Sequence, residues 1–396
     1  MSLEQTSTLP AARPWQKLLW VLAPLAVLGL ALWWLIAGNL LGSFNNGAPP
    51  VENLTVERTI LDQNGLRLLV RAGGSEAMRI AQVQVDAAYW RFTQDPPGEI
   101  ARGSAAWIAI PFPWVLGEAH KVTFVTNTGA TFEHDIPVAV ETPQGSSLDF
   151  AAQAMLGAFV GIVPVVIGLM FYPALRGAGP RVMNFLLALT VGLLAFLFID
   201  TMEDAFEFAG RSATLFQGPM MVLLAAAASF ILLLGISRRQ GRPSGLALAT
   251  FIAIGIGLHN LGEGLAIGAA FAAGAAGLGT FLVMGFTLHN ITEGIGIAAP
   301  LLKLKPSLGR FAGLALIAGG PAVVGMWMGS LAYAPHWSAL ALAIGAGAIL
   351  QVIIEVSAFL ARSADNPGKA LMTPATLGGA AAGLALMYGT AMLIKI

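Results

Sequence analysis

Residues 244–273 read SGLALATFIAIGIGLHNLGEGLAIGAAFAA, and residues 277–302 read GLGTFLVMGFTLHNITEGIGIAAPLL. Each run is long and apolar enough to cross a bilayer, which takes about 20 residues as a helix. Each carries the same polar signature near its middle, H-N-x-x-E-G-x-x-I, from His259 to Ile267 and again from His289 to Ile297. Side chains at i and i+4 share a helix face, so each run presents one imidazole and one carboxylate together. The short joint makes the two helices antiparallel. His259 is then level with Glu293, and Glu263 with His289, in two layers about 6 Å apart at 1.5 Å per residue. Gly262, Gly264 and Gly294 are expected to let the two backbones approach closely.

Two imidazoles and two carboxylates suit a divalent transition metal, and two carboxylates neutralise one such ion. Asn260 and Asn290 add neutral oxygen ligands beside the histidines. The same residues would also serve as a purely structural His–Glu hydrogen-bond network. A matched repeat of a carboxylate that is costly inside a membrane favours the ion.

Six further apolar runs lie at 151–175, 182–199, 219–236, 311–334, 338–360 and 371–394. Residues 150–396 are therefore expected to form an eight-helix transmembrane bundle with short joints. The composition agrees: 56% of the 396 residues are hydrophobic and 11% charged, against about 25% charged in a soluble domain. One soluble globule and a disordered chain are both excluded. Lys plus Arg and Asp plus Glu number 21 each, so no bulk charge draws the chain to nucleic acid. There is no cysteine, which excludes disulfides, thiolate metal sites and cysteine nucleophiles.

Residues 43–149 carry 19 charges in 107 positions, whereas residues 150–396 carry 20 in 247, which puts a domain boundary near Asp149. Before it, IAQVQVDAA from Ile80 and KVTFVTN from Lys121 alternate at the strand period, with turn signals at Asn64-Gly65 and Asn127-Thr128-Gly129. That pattern predicts a small all-β, sandwich-like domain. His120 and His134 stand singly, and Glu133-His134-Asp135 reads as a solvated strand end.

Residues 18–38 run 21 positions without a charge, after Arg13 and Lys17. They read as an uncleaved transmembrane anchor within a segment 1–42, followed by the β-domain at 43–149. Arg13, Lys17 and ten basic residues in alternate joints (Arg176, Arg181, Arg238, Arg239, Arg242, Lys303, Lys305, Arg310, Arg362 and Lys369) would share one side, leaving only Arg211 and Lys395 on the other. By the positive-inside rule the N-terminus is cytoplasmic, and the β-domain and C-terminus are extracytoplasmic. The location is a multi-pass cell membrane, an inner membrane where there are two.

The second bundle run ends FIDTMEDAFE, with Asp200, Glu203, Asp204 and Glu207 on one helix face near the outer mouth. Like charges so placed repel and would concentrate cations. Glu203 and Glu207 would equally serve as a solvated helix end, whereas Asp200 and Asp204 are expected on the path of a cation. Glu355, with Gln351 one turn earlier, lies nearer the cytoplasm, as an exit ligand or as an inter-helix hydrogen-bond partner. His336, in the outer joint APHW, reads as a surface histidine.

HNLGEGLAIG and HNITEGIGIAAP resemble the paired signatures of the ZIP family of divalent metal transporters, and the resemblance covers about residues 150–396. It implies an eight-helix ZIP-like bundle that takes up zinc foremost, or iron, manganese or cadmium, as transported substrate. The site would lie between the fourth and fifth bundle helices, with an elevator-like movement and often a homodimer. Glu355 resembles the family's helix-seven Glu. Three features depart from the family pattern. Gly262 and Thr292 stand where Pro often precedes the motif Glu. The sixth run, IAGGPAVVG from Ile317, has no carboxylate, with Gly320 roughly where one would stand. The anchor and β-domain are additional.

Two other classes use the same residues: an intramembrane zinc-dependent hydrolase and a metal-sensing receptor working through the outer domain. HExxH is absent and both Glu are engaged as ligands. The expected function is accordingly transport across the lipid bilayer, without enzymatic chemistry.

Overall fold

The structure is a computed structural model and describes residues 14–37, 50–142, 147–177, 179–239, 241–272, 276–331, 334–362 and 371–394. Arg13, residue 38, Lys369 and Lys395, on which the anchor and orientation readings partly rest, lie outside the described residues. Helix α1 (Pro14–Ala37) carries Pro24 in its interior, belongs to a compact unit of its own, and is apolar along Leu22–Leu35.

The sheet domain has eight strands: β1 (Leu54–Asp62), β2 (Gly65–Ala72), β3 (Ile80–Val85), β4 (Ala88–Trp90), β5 (Thr93–Asp95), β6 (Ala105–Ile110), β7 (His120–Thr126) and β8 (Thr131–Ile136). They form two antiparallel four-stranded sheets, ordered β1-β2-β6-β5 and β4-β3-β7-β8. Alternation sets the inward faces: Leu66, Leu68 and Val70 of β2 are fully buried while Arg67 between them is exposed. These side chains meet Ile108, Val83, Val122 and Phe124 in one core shared by both sheets, which makes a sandwich. Asn64-Gly65 is the β1–β2 turn, where Gly65 adopts φ +121°, a region that favours glycine.

Eight long apolar helices follow, each long enough to span a membrane: α2 (Ser147–Leu169, continued by a short α3, Tyr172–Leu175), α4 (Pro180–Gly210), α5 (Gly218–Ser237), α6 (Gly245–Ala272), α7 (Ala276–Ala298), α8 (Leu308–Leu331), α9 (Pro335–Ala361) and α10 (Pro374–Ile394). The chain is thus a polytopic helical membrane protein carrying a small antiparallel sheet domain. Within each helix the backbone bonds to itself, as hydrocarbon demands.

Helices α6 and α9 are the most enclosed, and α5 and α10 the least. α6 packs along α8, and α2 along both α7 and α8; α9 packs on α4, α5 and α6, and α10 on α4. Small residues set these contacts. A methyl group at Gly264 would collide with the carbonyl of Ala322 on α8, and one at Gly294 with the carbonyl of Val165 on α2. Gly262 faces Leu342 of α9. This corrects the sequence expectation that the three glycines close the seam between the two motif helices. They press α6 against α8 and α9, and α7 against α2, which is how small residues serve membrane helices generally.

Candidate metal centre

His259, Asn260 and Glu263 project from α6, and His289, Asn290 and Glu293 from α7; all six are buried. Ligand atoms of His259, His289 and Glu293 lie within 4.8 Å of one another. The imidazole rings stand 6.3 Å apart, centroid to centroid. Glu263 Oε1 lies 2.9 Å from His259 Nε2 and 2.6 Å from His289 Nε2. The first contact is the i,i+4 pair within α6, and the second is the cross-helix layer that the antiparallel reading requires.

The polar accounting is asymmetric. Glu263 has both imidazoles and the Asn290 amide, 3.3 Å from Oε2, as partners. Both carboxylate oxygens of Glu293, and Oδ1 of Asn260 and of Asn290, are buried without a hydrogen-bond partner among the described residues. Buried acceptors left unpaired cost about 1–3 kcal/mol each, and more when charged. Of these groups, Glu293 lies with the two imidazoles in a cluster that could hold a metal ion. Both asparagine amides are turned by backbone carbonyls: Nδ2 of Asn260 donates to Ala318 O of α8, and Nδ2 of Asn290 to Val160 O of α2, each at 3.0 Å.

The acidic face of α4 opens onto this centre. Asp200, Glu203, Asp204 and Glu207 line a cavity of about 200 Å³ together with His289 and Phe286 of α7. His289 therefore belongs both to the ligand group and to the wall of the acidic cavity. Thr201, between these acids, places Oγ1 3.2 Å from His259 Nδ1 and so holds the ring from behind, as outer partners of ligating histidines commonly do.

Glu355 is fully buried where α9 meets the end of α5. Its Oε1 accepts from Arg238 Nε at 2.8 Å and from Ser237 Oγ at 3.2 Å. Gln351 is buried one turn earlier, on the α9 stripe that starts at Gly347 against Ala226 of α5. Of the two roles open to Glu355 from sequence, inter-helix bonding is the one with partners in place. Gly320 has open space where a side chain would begin. The α8 group that meets Asn260 is the Ala318 carbonyl.

His336 is buried, contrary to the surface reading. Its ring stacks on Phe216 at 4.2 Å between centroids, and its Nδ1 is 3.7 Å from Glu57 of β1. The sheet domain covers the start of α9, which the sequence of the joint alone does not reveal. In the sheet domain, Glu133 and Asp135 are exposed beside Lys121, whereas His134 turns inward to Thr59 at 2.9 Å. His120 is buried against Asp86 at 2.8 Å.

Sequence reasoning missed Thr201 and the carbonyls of Val160 and Ala318. A threonine in an apolar helix most often bonds back to its own helix, as Thr190 does to Leu186 O, so it sends no signal. Compared with protein-family models and with curated proteins, the chain matches none.

Proposed function

We propose that the chain is a ZIP-like transporter of divalent transition-metal ions, zinc foremost, moving them toward the cytoplasm through the His259, Glu263, His289 and Glu293 centre. The observation that carries this reading is Glu293: a carboxylate buried on a transmembrane helix, with no hydrogen bond to either oxygen among the described residues, grouped within 4.8 Å with two imidazoles. Such a group is costly without a cation.

The acidic cavity supports a route. Cations gathered at Asp200 and Asp204 would meet His289 first, since its ring is in the cavity wall, and then His259 and Glu293. Asn260 and Asn290 offer neutral oxygens for transfer steps. The charge of one divalent ion is balanced by Glu263 and Glu293. In this reading α1 is the membrane anchor, its N-terminal side is cytoplasmic, and the sheet domain is extracytoplasmic.

The test is ion uptake into proteoliposomes holding the full chain, across a panel of zinc, iron, manganese and cadmium, with and without a pH gradient. Saturable flux of at least one of these ions is expected. Absence of flux for all of them, in vesicles with inserted protein, refutes the reading.

A further inference from the structure

We infer that Pro164 of α2 is a positioning residue of the metal centre: it interrupts its helix where Asn290 of the paired motif docks, and so fixes how that amide is turned. This rests on the cation reading given above.

The geometry is most direct at α2. In an unbroken helix the carbonyl of residue 160 accepts the N–H of residue 164. Residue 164 is a proline and has no N–H. The carbonyl of Val160 instead accepts Asn290 Nδ2 at 3.0 Å. A carbonyl only accepts, so the NH2 end of the amide must point at α2. The second hydrogen on that nitrogen is directed to Glu263 Oε2, 3.3 Å away. Oδ1 is left as the unused atom, buried and without a partner among the described residues.

The other motif copy also docks beside a proline, but its asparagine uses a neighbouring carbonyl and not the one the proline frees. Pro321 lies inside α8 and leaves the Ile317 carbonyl without its helical donor. α6 docks at that interruption, where a methyl group at Gly257 would meet the Ile317 carbonyl and, at 3.3 Å, the Pro321 ring. One turn further along α6, Asn260 Nδ2 donates to the next carbonyl, Ala318 O, at 3.0 Å. Its Oδ1 is again buried and unpaired.

Without this docking the Asn290 amide could turn over, placing its NH2 where Oδ1 now stands and giving up its bond to Glu263. It would then offer a cation hydrogens in place of oxygen. An alanine at 164 supplies the missing N–H, which competes with Asn290 for the Val160 carbonyl. Pro164 therefore acts through Asn290, and a loss caused by Pro164→Ala should vanish when Asn290 is already gone.

The test is a double-mutant cycle on Zn2+ affinity, measured by equilibrium binding to the purified, detergent-solubilised full chain. Pro164→Ala and Asn290→Ala are each expected to weaken binding ~10-fold, the scale for partners that orient ligands. The double variant is expected to bind as Asn290→Ala alone does. Unchanged affinity in Pro164→Ala, or losses that simply add, overturns the inference. Pro164→Gly with Asn290→Ala repeats the cycle, and decides the matter if Pro164→Ala does not give a monodisperse protein. A wild-type chain that binds no Zn2+, Mn2+ or Fe2+ refutes the cation reading itself. Wild-type binding with an unaltered Pro164→Ala refutes only the role of Pro164.

Discussion

Glu57, on the first strand of the sheet domain, stands 3.7 Å from His336 at the start of α9. Arg71 clasps the same carboxylate through two hydrogen bonds, 2.6 and 2.9 Å, and lies over the ring of Phe216, which stacks on His336. Strand residues and bundle residues therefore share one buried cluster. Removing Arg71 strands the Glu57 carboxylate. Arg71→Ala is expected to cost on the order of 3 kcal/mol, the scale for breaking one partner of a buried pair. Glu57→Gln with Arg71→Met should recover much of that loss. Urea-dependent proteolysis of the full chain in detergent reads both; a neutral Arg71→Ala would show that the cluster holds nothing together.

The same cluster gives stability a pH dependence. Burial would raise the Glu57 carboxyl, but neighbouring His336 and the Arg71 guanidinium outweigh it and hold the group below its ordinary 4.5. Burial also pushes His134 down from its ordinary 6.5, with Asp135 opposing. Both folded-state values are depressed, so the unfolded chain binds more protons as pH falls. Each contribution is complete above the ordinary value and is lost as pH falls through the folded one. Between pH 6.5 and the range where Lys121 titrates, sheet-domain stability should be level; it should fall below 6.5 as His134 is forced to ionise, and fall again below 4.5. Replacing His134 with Asn should remove the upper step. Stability that rises on acidification contradicts this sign.

Alanine at His259, Glu263, His289 or Glu293 is expected to remove most bound ion and most flux, while the helices still insert. The loss should be large for Glu293, whose oxygens have no other partner among the described residues. Elemental analysis of each purified variant checks this. Full metal content in any two of the four would mean that the ion sits elsewhere.

Much of this arrangement is legible in the sequence because it depends on local spacing. The i,i+4 His–Glu pairs and the antiparallel joint fix which side chains share a depth, and Glu263 does meet His289. The length and apolarity of eight runs fix the eight helices. The partners of Gly262, Gly264 and Gly294 are not legible, because a glycine records that something approaches and not which helix does. Burial of His336 is hidden for a similar reason. It depends on a carboxylate far away in the chain, and the joint APHW contains nothing that names that partner.

Arg238, just after α5, pairs with the fully buried carboxylate of Glu355 on α9. Arg238 is itself more than a third exposed, so solvent screens part of the attraction. Deleting the charge nevertheless leaves Glu355 buried with Ser237 as its remaining partner. Arg238→Ala is therefore expected to lower thermal stability in detergent. Glu355→Gln added to it should restore part of the loss, since a neutral amide is cheaper to bury. Equal stability of Arg238→Ala and wild type would show that the pair contributes nothing.

The acidic cavity gives the last prediction. Asp200, Glu203, Asp204 and Glu207 lie on one face of α4 and share their cavity with His289. If these charges act by raising the local cation concentration, the effect must follow the rules of long-range electrostatics. Neutralising Glu203 and Asp204 together, as Glu203→Gln with Asp204→Asn, keeps size and polarity but removes the negative charge the pair carries. Capture of the ion should then slow ~10-fold at low ionic strength, within the range known for electrostatic steering. Added salt should erase most of the difference, because the Debye length shrinks from about 30 Å at 0.01 M to about 8 Å at physiological salt. The maximal rate should change little, since neither residue belongs to the His259, His289 and Glu293 group. Initial uptake rates measured against ion concentration at two ionic strengths separate the cases. A salt-independent loss would instead make Glu203 or Asp204 a direct ligand on the route to His289.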